Sequence, residues 1–161
     1  MAEESEQIDP VPAGFDRVPE GLGFADTLQP SYRRIRAGTA SLGLVVGDQH
    51  LNLMGLCHGG VLTTLADMAA ATAVNVAIGR RGGNPTINLS IDFIAAARKG
   101  NWIQADVEEV SIKRRFGFSH GTIRNSRGIV ARFNGTFYLP EHGGMWQGGR
   151  KADEALLGLG E

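Results

Sequence analysis

The apolar segment Gly59–Ile78 constrains the fold of this chain more than any other feature. Leucines, valines and a methionine recur in it among many alanines, and Asp67 is its one charged residue. A helix that is apolar on nearly every side must be buried on all sides. The chain of 161 residues suits a single domain. A sheet therefore has to curve round this helix to cover it, and Gly79 is expected to end the helix.

Strand-like segments flank the helix on both sides. Two precede it on either side of a turn at Ala37-Gly38, and four with alternating polarity follow it. A slip in the alternation at Glu108-Glu109 predicts a β-bulge. We therefore predict an α+β fold in which an antiparallel sheet of about six strands wraps round one long central helix. The predicted strands are Ser31–Arg36, Thr39–Val46, Thr86–Ile94, Trp102–Lys113, Arg115–Asn125 and Ile129–Leu139.

Composition divides the chain into three regions. Residues 1–20 are acidic and rich in proline, which predicts a flexible arm. Residues 21–140 form the predicted domain. Residues 141–161 are rich in glycine and are expected to be disordered or partly helical.

Charge and cysteine content narrow the classes of partner and the compartment. The net charge is -1, but residues 29–140 carry thirteen Lys and Arg against six Asp and Glu, so the middle is basic between two acidic ends. Such a domain suits a phosphorylated small molecule better than nucleic acid, because no lysine-rich run or aromatic-interleaved basic stripe is present. No uncharged apolar run reaches the roughly 18 residues of a membrane span. The acidic N-terminus and the lone Cys57 lead us to expect a cytoplasmic protein that does not bind membranes.

The residues that lead into the helix form a recognisable pattern. They read His50-x-Asn52-x-x-Gly55-x-x-His58-Gly59-Gly60, followed by Leu65-Ala66-Asp67. This pattern resembles the hotdog-fold acyl-CoA thioesterases of the PaaI-like (phenylacetate-pathway) group, within the 4-hydroxybenzoyl-CoA thioesterase superfamily. The likeness covers roughly residues 22–140 and includes the strand and turn over Thr86–Gly100.

The resemblance implies a function. The chain is expected to adopt the hotdog fold and to hydrolyse the thioester of an acyl- or aryl-CoA to the free acid and CoA. It needs no cofactor, because coenzyme A is part of the substrate. The likeness further implies a homodimer or homotetramer whose sites lie between subunits.

The glycine motif would supply the oxyanion donor. The resemblance implies that the backbone N–H of Gly59 holds the thioester oxygen, with Gly60 and Asn52 assisting. Glycine permits close approach, and the start of a helix favours negative charge. From the residues alone, a plain turn requirement explains these glycines at least as well. His58 could anchor the loop or polarise the carbonyl.

Asp67 is the predicted acid of the site. An unpaired carboxylate within an apolar helix is costly to bury, so it needs a partner such as Thr63, a subunit interface or a function. With the motif it becomes the nucleophile or the general base for water, and the sequence does not separate these two mechanisms. Thr86 matches a position at which the group carries a Ser or Thr that orients the water, although it could equally open a strand. Some hotdog thioesterases place a Thr one turn after the acid, and Ala71 occupies that position here.

Further residues have two possible roles each. Arg98 and Lys99 in one turn, and Arg114 and Arg115 in another, could bind the charges of coenzyme A or be solvated hairpin residues. Cys57 beside His58 is expected to be a passive buried thiol and not a nucleophile. No metal site is expected, because the four histidines lack close ligand pairing. The aromatic residues that could line an acyl tunnel, or simply pack in the core, are Phe93, Trp102, Phe116 and Phe118.

Two other functions compete with hydrolysis. One is a non-catalytic acyl-CoA-binding or regulatory hotdog protein, although no DNA-binding segment is visible. The other is a hotdog dehydratase, whose pattern of histidine and acid is not seen here.

Overall fold

The predicted α+β fold is confirmed: an antiparallel sheet packs round one long helix, and it has seven strands, of which the short first one, at Asp16–Arg17, was not predicted. The structure is a computed structural model and describes residues 7–36, 38–79 and 83–141. The predicted tail from residue 142 onward and the first six residues of the arm lie outside the described residues. The strands are β1 (Asp16–Arg17), β2 (Ser31–Arg36), β3 (Thr39–Val45), β4 (Thr86–Phe93), β5 (Trp102–Lys113), β6 (Phe116–Asn125) and β7 (Gly128–Tyr138); the helix is α1 (Gly59–Ile78).

The strand order places β4 at an edge of the sheet. The order is β1-β2-β3-β5-β6-β7-β4, and every neighbouring pair is antiparallel. Short 3₁₀ turns at Gly23–Leu28 and Asp48–His50 join the first strands to each other and to α1. The bulge predicted at Glu108-Glu109 is confirmed by a register shift between Val107 and Glu109. One edge of β4 is thus unpaired within the part of the chain that the structure describes.

The helix α1 begins and ends where the sequence predicted. Gly79 follows it in the left-handed conformation, with a φ of 61°, which glycine adopts without strain. The helix packs against β3, β4, β5, β6 and β7, so the sheet extends round it. The buried residues of α1 are Leu62, Leu65, Ala66, Ala69, Ala70, Thr72, Ala73 and Val74.

The prediction that α1 is buried on all sides is wrong for a single chain. Val61, Met68 and Ala71 are only partly buried, and Asp67 is half-exposed. The sheet covers one side of the helix. Because the sheet ends at β4, the side of the helix beyond β4 is partly open. Part of the apolar surface of α1 is thus left uncovered in the single chain.

By length and composition alone, α1 could cross a membrane. Among the described helices it is the one that meets this test, with a mean hydropathy of 1.6. The core helix of a globular domain meets the same test, and here Leu65, Ala66 and Ala69 are fully buried against the sheet. These buried residues of α1 therefore belong to the core of this fold.

The described part of the predicted arm lies on the sheet. Asp16 and Arg17 pair with β2, and Val18 is buried. The Phe15 ring packs edge-on against Trp102, with centroids 5.2 Å apart. The Asp9 carboxylate accepts a hydrogen bond from the Trp102 backbone N–H at 3.0 Å. Phe15 thus covers Trp102 on the far face of the sheet, opposite α1, and Asp16–Arg17 extends the edge of the sheet.

A bulge at the start of β4 changes which face Thr86 occupies. Simple alternation predicts that Thr86 shares a face with Asn88, but Thr86 pairs with Phe137 while Asn88 pairs with Thr136. Two steps along β4 therefore match one step along β7, and Thr86 joins the buried Phe137 on the face that packs against α1. The alternating prediction is wrong at this residue and correct from Asn88 to Phe93, where the register with β7 is regular.

Candidate active site

The N-terminus of α1 presents a free backbone donor. Gly59 is the first residue of the helix, and its N–H has no acceptor among the residues that the structure describes. The first N–H groups of a helix lack partners within the helix, and the helix dipole makes this end positive. The N–H of Gly59 is therefore placed to hold a developing negative charge.

His58 caps the helix and occupies the neighbouring donor. Its Nδ1 accepts a hydrogen bond from the N–H of Gly60 at 2.8 Å. This contact assigns the proton of a neutral His58 to Nε2. Of the two roles considered for His58, the geometry favours the anchor. Gly60 was predicted to assist the oxyanion donor, but its N–H is already satisfied, which leaves Gly59 as the available donor.

Asn52 organises the loop that precedes the helix. Its side-chain oxygen accepts hydrogen bonds from the N–H groups of Met54 at 2.9 Å and Leu56 at 3.2 Å. Gly55 completes this tight turn with a positive φ of 69°. The carbonyl oxygen of Asn52 is also bound, by the N–H of Gly55. Asn52 thus positions the approach to Gly59, a structural contribution that the sequence pattern did not distinguish from a catalytic one.

Asp67 and Thr86 form a hydrogen-bonded pair. Thr86 Oγ1 donates to Asp67 Oδ1 at 2.8 Å. The alternative partner Thr63 instead donates its hydroxyl to the carbonyl oxygen of Gly59 at 2.8 Å. Thr86 in β4 therefore orients the half-exposed Asp67 of α1, and a hydroxyl at the position of Ala71 is not needed for that purpose. This pair depends on the β4 bulge, for which the alternating sequence of β4 carries no signal.

The two halves of the site are far apart within one chain. Asp67 follows Gly59 by eight residues of helix, which is about 12 Å at roughly 1.5 Å per residue. Thr86 and Phe93 likewise mark opposite ends of β4. The Phe93 ring lies next to Gly59, whereas Thr86 lies next to Asp67. The motif residues Gly59 and Asp67 thus belong to two candidate half-sites, one beside each end of β4.

The predicted basic residues divide between these two ends. The backbone of Arg98 bridges Leu56, in the loop that leads to Gly59, and Lys99 Nζ lies 2.9 Å from Asp48. Arg114, with a φ of 54°, and Arg115 form the turn between β5 and β6. Because Leu139 N–H donates to Arg115 O, and Tyr138 N–H donates to Pro85 O, this second turn lies toward the Thr86 end. The side chain of Arg115 contacts Tyr138 and Glu141.

Two buried groups near the motif, Cys57 and His50, have pKa values that are shifted by burial. Burial raises the pKa of the Cys57 thiol to about 11, so it is protonated at neutral pH. This agrees with a passive thiol. His50 is buried, its Nδ1 accepts from the N–H of Gly47 at 3.0 Å, and burial lowers its pKa. Among the described residues no group of three or more His, Cys, Asp or Glu could hold a metal ion.

The four candidate aromatic residues do not share one location. Trp102 is buried on the far face of the sheet, below Phe15. Phe116 and Phe118 are exposed on that same face, with ring centroids 6.5 Å apart. Phe93 alone among the four lies beside the helix N-terminus. The structure therefore associates one of the four with the candidate site, a selection that the sequence did not make.

Comparison with known proteins gives a consistent family. The family model described as Thioesterase superfamily matches residues 54–131, which contain Gly59, Asp67 and Thr86. A Pseudomonas aeruginosa protein named "Putative esterase PA0474" is 31% identical over 133 residues, which span 81% of this chain and 98% of that relative.

Solved structures agree with this fold. The phenylacetic acid degradation protein PaaI from Thermus thermophilus is 28% identical, with a TM-score of 0.65, and the match covers 73% of this chain and 98% of that protein. The PaaI protein of E. coli is also 28% identical, with a TM-score of 0.62, over 72% of this chain and 83% of that protein. The sheet and central helix described above are thus those of the hotdog fold.

Proposed function

The chain belongs to the thioesterase superfamily, among the PaaI-like hotdog proteins, and on that premise we propose that it hydrolyses the thioester bond of an acyl- or aryl-CoA. Family membership and the esterase-named relative support thioester hydrolysis in general. The observation that carries the finer proposal is the pair of half-sites: a free helix N-terminal N–H at Gly59 and a carboxylate at Asp67 that Thr86 orients. These are the donor and the acid that thioester hydrolysis needs.

One chain alone does not complete this site. A carboxylate or its bound water must come within about 3 Å of the carbonyl carbon while the donor holds the carbonyl oxygen. The roughly 12 Å of helix between Gly59 and Asp67 is too long for both to act on one carbonyl. The catalytic Asp67 for a thioester at Gly59 must therefore come from a second copy of the chain.

The free edge of β4 supports such a dimer. An unpaired strand edge is a ready template for pairing with another chain, and most homodimers are two-fold symmetric. If two β4 strands pair antiparallel about their centres, the Phe93 end of one lies opposite the Thr86 end of the other. Gly59 of one copy then faces Asp67 of its partner, and two equivalent sites form. This pairing also covers the open side of α1.

The mechanism follows from these positions. The N–H of Gly59 stabilises the negative charge that develops on the thioester oxygen. Asp67 either attacks the carbonyl carbon itself or removes a proton from a water that attacks it, and both routes stay open. The hydroxyl of Thr86 fixes the carboxylate. On the general-base route, the water oxygen bonds to the carbonyl carbon, the C–S bond breaks, and the CoA thiolate takes up the proton that Asp67 removed, so that the free acid and CoA are released. On the nucleophilic route, Asp67 forms a mixed anhydride with the acyl group as the C–S bond breaks, and the CoA thiolate takes up a proton from solvent. Water then hydrolyses the anhydride, which releases the free acid and restores Asp67.

Dimerisation would also gather the basic residues. Arg98 and Lys99 lie at the Gly59 end of one copy, and Arg114 and Arg115 lie toward the Thr86 end of the other. Both turns would then flank one site, where they could bind the phosphates of coenzyme A. We propose no cofactor other than the CoA of the substrate, and no nucleic-acid or membrane partner. The lone buried Cys57 is consistent with a cytoplasmic location, which we also propose.

Release of free CoA from acyl-CoA substrates, followed with a thiol-reactive chromogen, tests this function. We expect the wild type to release CoA and the Asp67→Asn variant to have lost most of that activity. Asp92→Asn is the matched control, because Asp92 is an exposed acid of β4 that pairs with Arg132 on the far face of the sheet. A wild type that binds acyl-CoA but releases no thiol would favour the non-catalytic binding protein.

A further inference from the structure

One aromatic ring lies beside the free N–H of Gly59. Phe93 ends β4 and pairs with the buried Ala131, so its side chain lies on the face of the sheet that packs against α1. Its Cζ and Cε1 atoms are 3.2 and 3.4 Å from the position that a Cβ on Gly59 would occupy. The ring therefore packs against Gly59, the first residue of the helix, and the space between them does not accommodate a further atom.

The rest of this ring is open. Phe93 is 55% exposed, whereas Phe133 and Phe137, on the same face of the neighbouring strand, are at most 1% exposed. A core phenylalanine would be covered as these two are. Phe93 therefore contributes apolar surface beside the oxyanion donor that the single chain leaves unused.

The segments that adjoin the helix N-terminus present further exposed apolar side chains. Ile94, which follows Phe93, is 55% exposed. Leu53 and Met54 are 108% and 75% exposed in the turn that Asn52 holds by two hydrogen bonds. A fixed backbone that displays large apolar groups next to a polar donor suits a ligand whose reacting group is polar and whose attached chain is apolar.

We propose that Phe93 forms the wall of the acyl pocket nearest the carbonyl carbon and disfavours acyl groups that are branched at the adjacent carbon. This inference rests on the proposed thioesterase function. A carbonyl oxygen that accepts from the Gly59 N–H at about 2.9 Å brings the carbonyl carbon and the next carbon close to the ring. A methyl branch on that carbon would need the space that the ring occupies, whereas an unbranched chain can lead away from it.

A purely interfacial role of Phe93 predicts a different result. The same ring lies at the strand edge where we propose that two copies pair. A residue that only packs in that interface would change the assembly, or lower kcat/KM for all acyl groups by the same factor. Selectivity between branched and unbranched acyl groups therefore separates the two roles.

The test compares the wild type with Phe93→Ala, Phe93→Leu and the control Phe118→Ala. Phe118 is a similarly exposed phenylalanine on the opposite face of the sheet. CoA release is measured with butyryl-, octanoyl-, palmitoyl- and phenylacetyl-CoA and with the 2-methyl analogue of each. For the acyl groups that are hydrolysed, the ratio of kcat/KM for the branched to the unbranched substrate is expected to rise about tenfold or more in Phe93→Ala. The rise should be smaller in Phe93→Leu, and Phe118→Ala should leave the ratio unchanged.

The outcomes distinguish this inference from the function on which it rests. An active wild type whose ratio stays within about twofold in Phe93→Ala overturns the assigned role of Phe93 and leaves the thioesterase function standing. If Phe93→Ala does not fold, the ratio in Phe93→Leu decides by the same criterion. A wild type that hydrolyses none of these substrates contradicts the proposed function, and the role of Phe93 falls with it.

Discussion

Replacing Asp67 by asparagine tests the proposed acid most directly. The asparagine side chain has nearly the same shape, and its oxygen can still accept the hydrogen bond that Thr86 Oγ1 donates at 2.8 Å. The substitution therefore removes the negative charge and the basicity but keeps the local contacts. A large decrease in rate would therefore result from the loss of the carboxylate's charge and basicity.

The expected effects on rate and stability differ in size. A positioned general base contributes about 10²–10⁴-fold to the rate, or about 3–5 kcal/mol of activation free energy. The half-exposed position of Asp67 limits the loss of folding stability to about 1 kcal/mol, since only a charge-assisted hydrogen bond becomes a neutral one. This corresponds to a fall in Tm of about 2–4 °C.

Steady-state kinetics and thermal unfolding of the same samples separate these effects. We expect kcat/KM for the best acyl-CoA to fall by at least about 100-fold in Asp67→Asn and to stay near the wild-type value in Asp92→Asn. Thr86→Val should reduce the rate in the wild type but not further in the Asp67→Asn background, because Thr86 acts through Asp67. Near-normal turnover of a folded Asp67→Asn protein would refute the assignment, and additive effects of the two substitutions would refute the link to Thr86.

Three further predictions concern stability and reactivity. Burial lowers the pKa of His50, so the unfolded chain binds a proton at this histidine more readily than the folded chain, and the unfolding free energy should be highest above about pH 6.5 and decrease as the pH falls below that value. Urea unfolding should show this decrease in the wild type and in the control His120→Gln, which replaces an exposed histidine. A decrease of the same size in His50→Gln would contradict the assignment. With a pKa of about 11, Cys57 should react with iodoacetamide at pH 8 roughly 100-fold more slowly in the folded protein than in urea, and equal rates would show that it is accessible. A Cβ at Gly121 would overlap the backbone carbonyl oxygen of Asp106, so Gly121→Ala should lower the unfolding free energy by about 2 kcal/mol. An unchanged urea midpoint would show that β5 and β6 can move apart at this point without a loss of stability.

The sequence predicted the secondary structure well where periodicity was strong. The bounds of α1 and the bulge in β5 follow from local patterns: an apolar run closed by Gly79, and an alternation that slips at Glu108-Glu109. The bulge in β4 left no such trace, because Thr86 and Asn88 are both polar and either face suits them in isolation. Only pairing with β7 decides that Thr86 faces the helix.

The sequence predicted which residues belong to the candidate site, but not their relative positions or their hydrogen-bond partners. The motif identified Gly59 and Asp67, and the hydrogen bonds then assigned Asn52, His58 and Gly60 to the shape of the loop and the helix cap. Those three side chains or N–H groups have the same chemistry as catalytic donors. Which hydrogen-bond partner each group has depends on the folded loop, and the residue types alone do not predict it.

By itself, the sequence determined that one long apolar helix must be covered by a sheet, since burial of apolar surface follows from composition and period. It also determined that a glycine-flanked helix start and a carboxylate lie two turns apart on that helix. Tertiary structure decided that the two face opposite ends of β4, that Thr86 joins the carboxylate, and that α1 is left partly open at the β4 edge. These are distances and pairings between segments remote in the chain. Local propensities do not encode them, because they arise only when the whole sheet closes on the helix.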